Sequence, residues 1–198
     1  MFYDTFFLTN SNEGTIVKHK TKHMIIAALC LALCLVLPFL TGQIPQIGRT
    51  LLPMHLGVLI CAYVADKKWA AAVGAVAPLM RSLLFGMPML YPTAIAMACE
   101  LFTYGLVCGL LNEKLPKKPG YIYVSLIGAM LAGRIVSGLV QIPLYGLKGN
   151  TYTWTAFITA SFAEALPGII LQIVLIPLLI MALRRARLID TPHHHDHA

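Results

Sequence analysis

The composition of this 198-residue chain excludes an ordinary soluble fold. Hydrophobic residues make up 58% of it and charged residues 12%, whereas soluble domains are about half apolar and about a quarter charged. A chain of this size cannot hide so much apolar surface from water in one core. The net charge of +7 would suggest a nucleic-acid partner in a soluble protein. In a membrane protein such charges indicate instead how the chain is oriented in the membrane. We therefore expect a lipid bilayer around this chain and no nucleic-acid partner.

Six apolar stretches approach the length of about 20 residues that a helix needs to cross about 30 Å of hydrocarbon. The predicted spans are 24–40, 51–65, 69–86, 92–111, 121–145 and 155–183. We therefore predict an all-α integral membrane protein, a single six-helix bundle over residues 22–187, with tails at 1–21 and 188–198. A signal peptide is the alternative for the first span, but no small-residue cleavage site follows Leu40. The histidines within 193–197 are interpreted as part of a solvated tail and not as a metal site.

The distribution of Lys and Arg between the loops predicts the orientation of the chain. With the N-terminus in the cytoplasm, eleven basic residues lie on the cytoplasmic side, and only Arg49 and Lys148 lie outside. The eleven are Lys18, Lys20, Lys22, Lys67, Lys68, Lys114, Lys117, Lys118, Arg184, Arg185 and Arg187. Both termini are therefore predicted to be cytoplasmic, and the protein is predicted to be a multi-pass protein of the cell membrane.

Small residues spaced by four mark places where helix backbones approach closely. The stripes are Ser125, Ala129, Gly133 and Ser137 in the fifth span, Gly105 and Gly109 in the fourth, and Ala28 and Ala32 in the first. Packing within one bundle is the common use of such stripes, and docking of another membrane protein is the alternative. The spacing does not decide between them.

Four ionisable residues lie within the spans, namely Arg81, Glu100, Arg134 and Glu164. At a rise of about 1.5 Å per residue, Glu100, Glu164 and Arg134 lie roughly 12 to 18 Å from the outer ends of their spans, and Arg81 only about 8 Å. Such residues usually face a bundle interior or a wet cavity and pair with one another. Their charges cancel, so they could form a purely structural network or a ligand-facing one. Both alternatives remain open at this point.

The sequence lacks the motifs of several catalytic classes. It has no HExxH, no phosphate-binding loop and no GxSG, so neither hydrolysis nor ATP-driven transport by this chain alone is indicated. All five cysteines lie in apolar spans, which argues against disulfides and favours a packing role. A protein without enzymatic activity, cofactor or metal of its own is therefore expected, and any active transport would need a motor supplied by another protein. The hypotheses of a stand-alone channel or secondary transporter, and of an intramembrane enzyme that uses His55 or Glu100, stay open at this point.

Several short segments together resemble a known family. They are Ala28-xxx-Ala32, Leu52-Pro53-Met54-His55-Leu56, Gly86-Met87-Pro88, the run from Glu100 through Tyr104-Gly105 to Gly109, and Pro167-Gly168 through Gln172 to Pro177. With the six-span layout, these segments resemble the substrate-binding S components of energy-coupling factor (ECF) transporters, the vitamin-uptake systems. The resemblance runs from about Lys22 to Arg187 and is to the general family more than to its biotin, thiamine or riboflavin branches.

The resemblance implies partners and a mechanism. The partners are a transmembrane coupling protein and two cytoplasmic ATPases, with docking through Ala28 and Ala32. It also implies a vitamin-like substrate bound in the outer half and carried inward when the subunit tilts. By depth and polarity, the candidate substrate contacts are Arg49, Tyr91, Glu100, Arg134, Gln141, Tyr145, Asn150, Trp154 and Glu164. Pantothenate, pyridoxine-like and cobalamin-class substrates all remain open.

Overall fold

The computed structural model describes residues 2–40, 52–116, 118–147, 159 and 165–186, and side chains in the first helix from Lys20 to Phe39. All regular structure within these ranges is helical. The helices are α1 Phe2–Leu40, α2 Pro53–Val64, α3 Lys67–Phe85, α4 Ile95–Lys114, α5 Pro119–Gly146 and α6 Leu166–Arg185, and a π-helical turn, Leu90–Ala94, leads into α4. For the described residues, the all-α prediction is confirmed.

Four stretches are long and apolar enough to cross a membrane: Lys20–Phe39, Leu90–Lys114, Pro119–Gly146 and Leu166–Arg185. They coincide with the first, fourth, fifth and sixth predicted spans. The second and third predicted spans are helical too, but α2 has only 12 residues, a rise of about 18 Å against about 30 Å of hydrocarbon. The chain is therefore a multi-pass membrane protein, while the count of six spans and the side of the termini stay predictions.

The short helix α2 lies in the interior of the bundle. Ten of its residues, from Pro53 to Tyr63, are buried, because α1, α3, α4 and α6 pack against it. Pro53 stands in the first turn, where its missing N–H leaves no helical hydrogen bond unmade. Leu52 before it has a φ of 50°, in the left-handed region that costs a residue with a side chain about 1 kcal/mol or more. An enclosed helix can be short because protein, and not lipid, surrounds it.

Small residues bring the backbones of α3, α4 and α5 together. A Cβ on Gly105 of α4 would lie 2.5 Å from the backbone of Ala70 on α3, and these two helices form an extensively packed pair. On α5, the space beside Gly133 is filled by the ring of Tyr104 from α4. At the N-terminal end of the same stripe, Ser125 bonds the hydroxyl of Tyr63 on α2 at 2.6 Å. The stripes of the fourth and fifth spans therefore pack within the bundle.

Candidate functional site

Glu100 on α4 and Arg134 on α5 form an ion pair inside the bundle. Nη1 of Arg134 lies 3.1 Å from Oε1 of Glu100, and the two side chains are only 9% and 5% exposed. Tyr104 lies one turn along α4 and donates its hydroxyl to the same carboxylate oxygen at 3.2 Å. Two of the four predicted intramembrane charges are therefore neutralised by each other, as the low dielectric of the interior requires.

His55 of α2 borders this ion pair. Its Nε2 lies 3.5 Å from Oε1 of Glu100, and its ring packs edge-on against Tyr104 with the centroids 5.2 Å apart. The separation is too long for a good hydrogen bond, and neither ring nitrogen has a partner among the described residues. Nε and Nη2 of Arg134 are also buried without a described partner. Buried polar atoms of this kind are uncommon, so the cluster contains donors that the described protein groups do not use.

A cleft of about 70 Å³ between the beginning of α4 and the end of α5 leads to Glu100. It is lined by Pro92, Thr93, Ala96, Met97, Glu100, Ser137, Gln141 and Tyr145. Nε2 of Gln141 donates to Oγ of Ser137 at 3.0 Å, and both residues line the cleft together with Glu100. A continuous line of polar groups therefore runs from the cleft to the buried ion pair, between apolar walls.

Tyr91 holds one wall of the cleft in place. It interrupts the π-helical turn with an extended backbone, φ −119° and ψ 131°. Its hydroxyl donates to the carbonyl oxygen of Leu144. Leu144 lies in the last turn of α5, where carbonyl groups have no partner within the helix. The bond satisfies that carbonyl and ties the approach to α4 against the end of α5.

Five of the nine predicted substrate contacts lie in the described part of the chain. Glu100, Gln141 and Tyr145 line the cleft, Arg134 pairs with Glu100, and Tyr91 fixes the wall. Arg49, Asn150, Trp154 and Glu164 lie outside the described residues. The structure thus brings the five together, and their contact with a substrate stays a prediction.

Arg81 does not join the cluster around Glu100. Its Nη1 donates to the carbonyl oxygen of Leu35 at 2.8 Å, and its guanidinium lies over the rings of Phe39 and Phe85, 5.2 and 5.5 Å from the centroids. These contacts join the ends of α1 and α3, and a cation over an aromatic face is favourable where water is scarce. Among the described residues, Arg81 therefore lies apart from the Glu100–Arg134 pair, and the possible network of intramembrane charges does not include it there.

Three residues of the candidate site, Tyr104, Ser137 and His55, were not predicted from the sequence to belong to it. Tyr104 lies four residues after Glu100 and Ser137 four before Gln141, so each shares a helix face with a predicted contact. That spacing is the signal that could have found them. The sequence suggested His55 only as a residue that an intramembrane enzyme could use, and its position beside Glu100 depends on how α2 packs against α4. No spacing within one helix contains that information.

The stripe on α1 faces away from the bundle. Ala28 and Ala32 are exposed, and so is Leu29 between them, at 66%. On the opposite side of the same helix Cys30 and Cys34 are buried against α2. An exposed apolar face with two small side chains one turn apart offers a second helix a close approach.

The match to known proteins comes from one comparison. A family model described as "ECF transporter, substrate-specific component" matches residues 22–180. No curated protein and no solved structure matches the chain. The matched residues extend from α1 into α6, and so include the exposed α1 face, the buried ion pair and the cleft.

Proposed function

The chain belongs to the family of substrate-specific components of ECF transporters, and we propose that it captures a vitamin or a related micronutrient at the outer face of the cell membrane. Membership makes it a substrate-binding subunit and not an enzyme, and it implies association with an ECF module of coupling protein and ATPases. The identity of the substrate and the way it is delivered belong to the proposal.

The observation that carries the proposal is the cleft that leads to the buried Glu100–Arg134 pair. Binding sites for small molecules are mostly apolar clefts with a few convergent polar groups. Here Met97 and Pro92 supply apolar surface, while Gln141 and Ser137 supply hydrogen-bonding groups. Arg49, Asn150, Trp154 and Glu164, which lie outside the described residues, are proposed as further substrate contacts.

The exposed face of α1 supports docking on the coupling protein. Ala28 and Ala32 are accessible, whereas the equivalent small residues of α4 and α5 are used inside the bundle. In the proposed cycle both termini are cytoplasmic, and the subunit tilts on the coupling protein when the two ATPases hydrolyse ATP. The cleft then opens to the cytoplasm and releases the substrate.

Reconstitution tests this function. The chain is placed in proteoliposomes alone, or together with the coupling protein and the two ATPases of its own organism, and uptake of a radiolabelled panel of B vitamins and precursors is measured. We expect uptake only in the complete complex and only with ATP. Flux through the chain alone would contradict the proposal and favour a stand-alone channel or secondary transporter.

A further inference from the structure

Gln172 of α6 is completely buried, and neither its amide nitrogen nor its amide oxygen has a hydrogen-bond partner among the described residues. The other buried residues along the described part of this helix are Gly168, Ile176, Pro177 and Ile180. A buried amide without a partner costs free energy that an apolar side chain of similar size does not. Within a membrane protein, an inward-facing polar group of this kind is a candidate for function.

Gln172 lies on the face of α6 that is turned into the bundle. α6 packs against α2 and α5, the helices that carry His55 and Arg134. The buried residues Gly168, Gln172, Ile176 and Ile180 of α6 are spaced by four and so form one helix face. Gln172 is therefore directed toward the helices that carry the polar cluster.

The buried atoms without described partners include both hydrogen-bond donors and hydrogen-bond acceptors. Arg134 has donors on Nε and Nη2, and Gln172 has a donor and an acceptor. A neutral His55 ring adds one of each. The positive charge of Arg134 is already balanced by Glu100 at 3.1 Å. What remains is a set of hydrogen-bonding groups that complements a polar molecule without a net charge.

We propose that the substrate enters the bundle with an uncharged polar end that both donates and accepts hydrogen bonds, as an amide or an alcohol does, and that Gln172 binds this end. The inference rests on the proposed function, because it assumes that the substrate binds in this part of the bundle. A carboxylate or an ammonium at the same place would leave one charge unbalanced among buried groups, at high cost. An uncharged end uses the available donors and acceptors without that penalty.

The first test compares Gln172→Met with Ile176→Met in the full chain, purified without ligand. Methionine is close in size to glutamine, so Gln172→Met removes the buried amide and preserves the packing volume. We expect its melting temperature to rise by about 2–4 °C. Ile176 is completely buried one turn further along the same face, and its replacement controls for the methionine side chain without loss of a polar group. It is expected to give no rise.

The second test measures binding by calorimetry with two matched pairs of probes. Nicotinamide and nicotinate share a ring, and panthenol and pantothenate share a chain. Each pair differs in an uncharged amide or alcohol against a carboxylate. In the pair that binds, the uncharged member is expected to bind at least about tenfold more tightly, and Gln172→Met is expected to weaken it by about tenfold or more. Ile176→Met is expected to bind as the wild type does.

Several results would overturn this assignment. They are tighter binding of the carboxylate member, equal binding by wild type and Gln172→Met, binding of none of the four probes, and a melting temperature of Gln172→Met at or below that of Ile176→Met. None of these results touches the transporter role, which is decided by whether uptake requires the coupling protein and ATPases. Failure of the substrate assignment and failure of the proposed function are therefore distinguishable.

Discussion

The helices α1 and α5 carry the same sequence pattern with opposite structural outcomes. On α5, Gly133 lies against the ring of Tyr104, and Ser125 bonds Tyr63. On α1, Ala28 and Ala32 are exposed, whereas Cys30 and Cys34 on the opposite side fill the core. Small residues four apart thus identify a helix surface built for close contact. They do not say whether the contact is made within the chain or with another protein.

The two stripes differ in the residues that surround them on each helix. The outward positions of α5 are large and apolar, with Leu131 and Ile135 more than half exposed, so the small residues are the part of α5 that faces the bundle. On α1 the small residues share the outward side with Leu29 and Ile25, which are also exposed. A partner that covers this face therefore meets a surface that the bundle itself does not use.

The largest effect is expected from a methyl group on the inward stripe. In Gly133→Ala, the new Cβ collides with the Tyr104 ring and lies 3.1 Å from the carbonyl oxygen of Glu100. A Tyr104 ring that shifts to make room strains its 3.2 Å hydrogen bond to Glu100. We expect a loss of about 2–3 kcal/mol in stability, from overpacking together with the weakened bond, measured by thermal unfolding in detergent.

Gly120→Ala is the matched control on the same helix, because nothing lies within 4 Å of its added Cβ. It is expected to unfold at the wild-type temperature. If Gly133→Ala and Gly120→Ala unfold alike, the fifth-span stripe is not a close packing surface, and the contrast with α1 disappears.

The next effect concerns the outward stripe and leaves the fold intact. Replacing Ala28 and Ala32 together by Leu adds bulk on an exposed face, so thermal stability and substrate binding are expected to stay at wild-type values. Co-purification with the coupling protein and ATPases is expected to fall at least about tenfold, since larger side chains keep the helices apart. The measurement is the ratio of subunits recovered on an affinity tag.

Ala72→Leu is the control for this pair, because Ala72 is an exposed alanine on α3. It should assemble normally. A double variant of Ala28 and Ala32 that assembles normally, or one that unfolds, would show that the α1 face is not the docking surface we propose.

Much of the fold follows from sequence because a bilayer imposes strong constraints. Apolar length located the four long spans, and helices satisfy their own backbone groups where water is absent. The enclosure of α2 was not predicted. Hydropathy depends only on the composition of a segment. The 12-residue helix α2, which its neighbours bury, is as apolar as a helix that lipid surrounds, so hydropathy does not distinguish the two.

The part of the candidate site that depends only on the depth of a residue in the membrane was predictable from the sequence. Glu100 and Arg134 were expected near mid-membrane, and the structure pairs them. Arg81 was expected at a shallower depth, and it binds the carbonyl oxygen of Leu35 and two aromatic rings. Depth along a helix does not specify rotation about its axis, and the helix that a charge meets depends on rotation. For the same reason, the proximity of His55 to Glu100 could not be read from the chain.

A moderate effect is expected at the N-terminal end of the α5 stripe. Ser125→Ala removes the 2.6 Å hydrogen bond to Tyr63, while the Tyr63 hydroxyl keeps its bond to the carbonyl oxygen of Ile122 at 2.8 Å. Because one partner remains, we expect a loss of only about 1 kcal/mol in thermal unfolding. Tyr63→Phe removes both bonds and should cost more. A Ser125→Ala variant as damaging as Gly133→Ala would mean that the stripe works through hydrogen bonds rather than close approach.

The smallest effect is expected at Gly128, on α5 but beside the stripe. An added Cβ there would meet only Cδ1 of Leu111, at 3.1 Å, and the end of a leucine side chain can shift by a few tenths of an ångström. The resulting strain is small, and alanine is favoured over glycine within a helix by about 1 kcal/mol. Gly128→Ala should therefore unfold within about 0.5 kcal/mol of the wild type or slightly above it. A large loss at this position would show that close packing on α5 extends beyond the four-residue spacing, and that the stripe is only its most regular part.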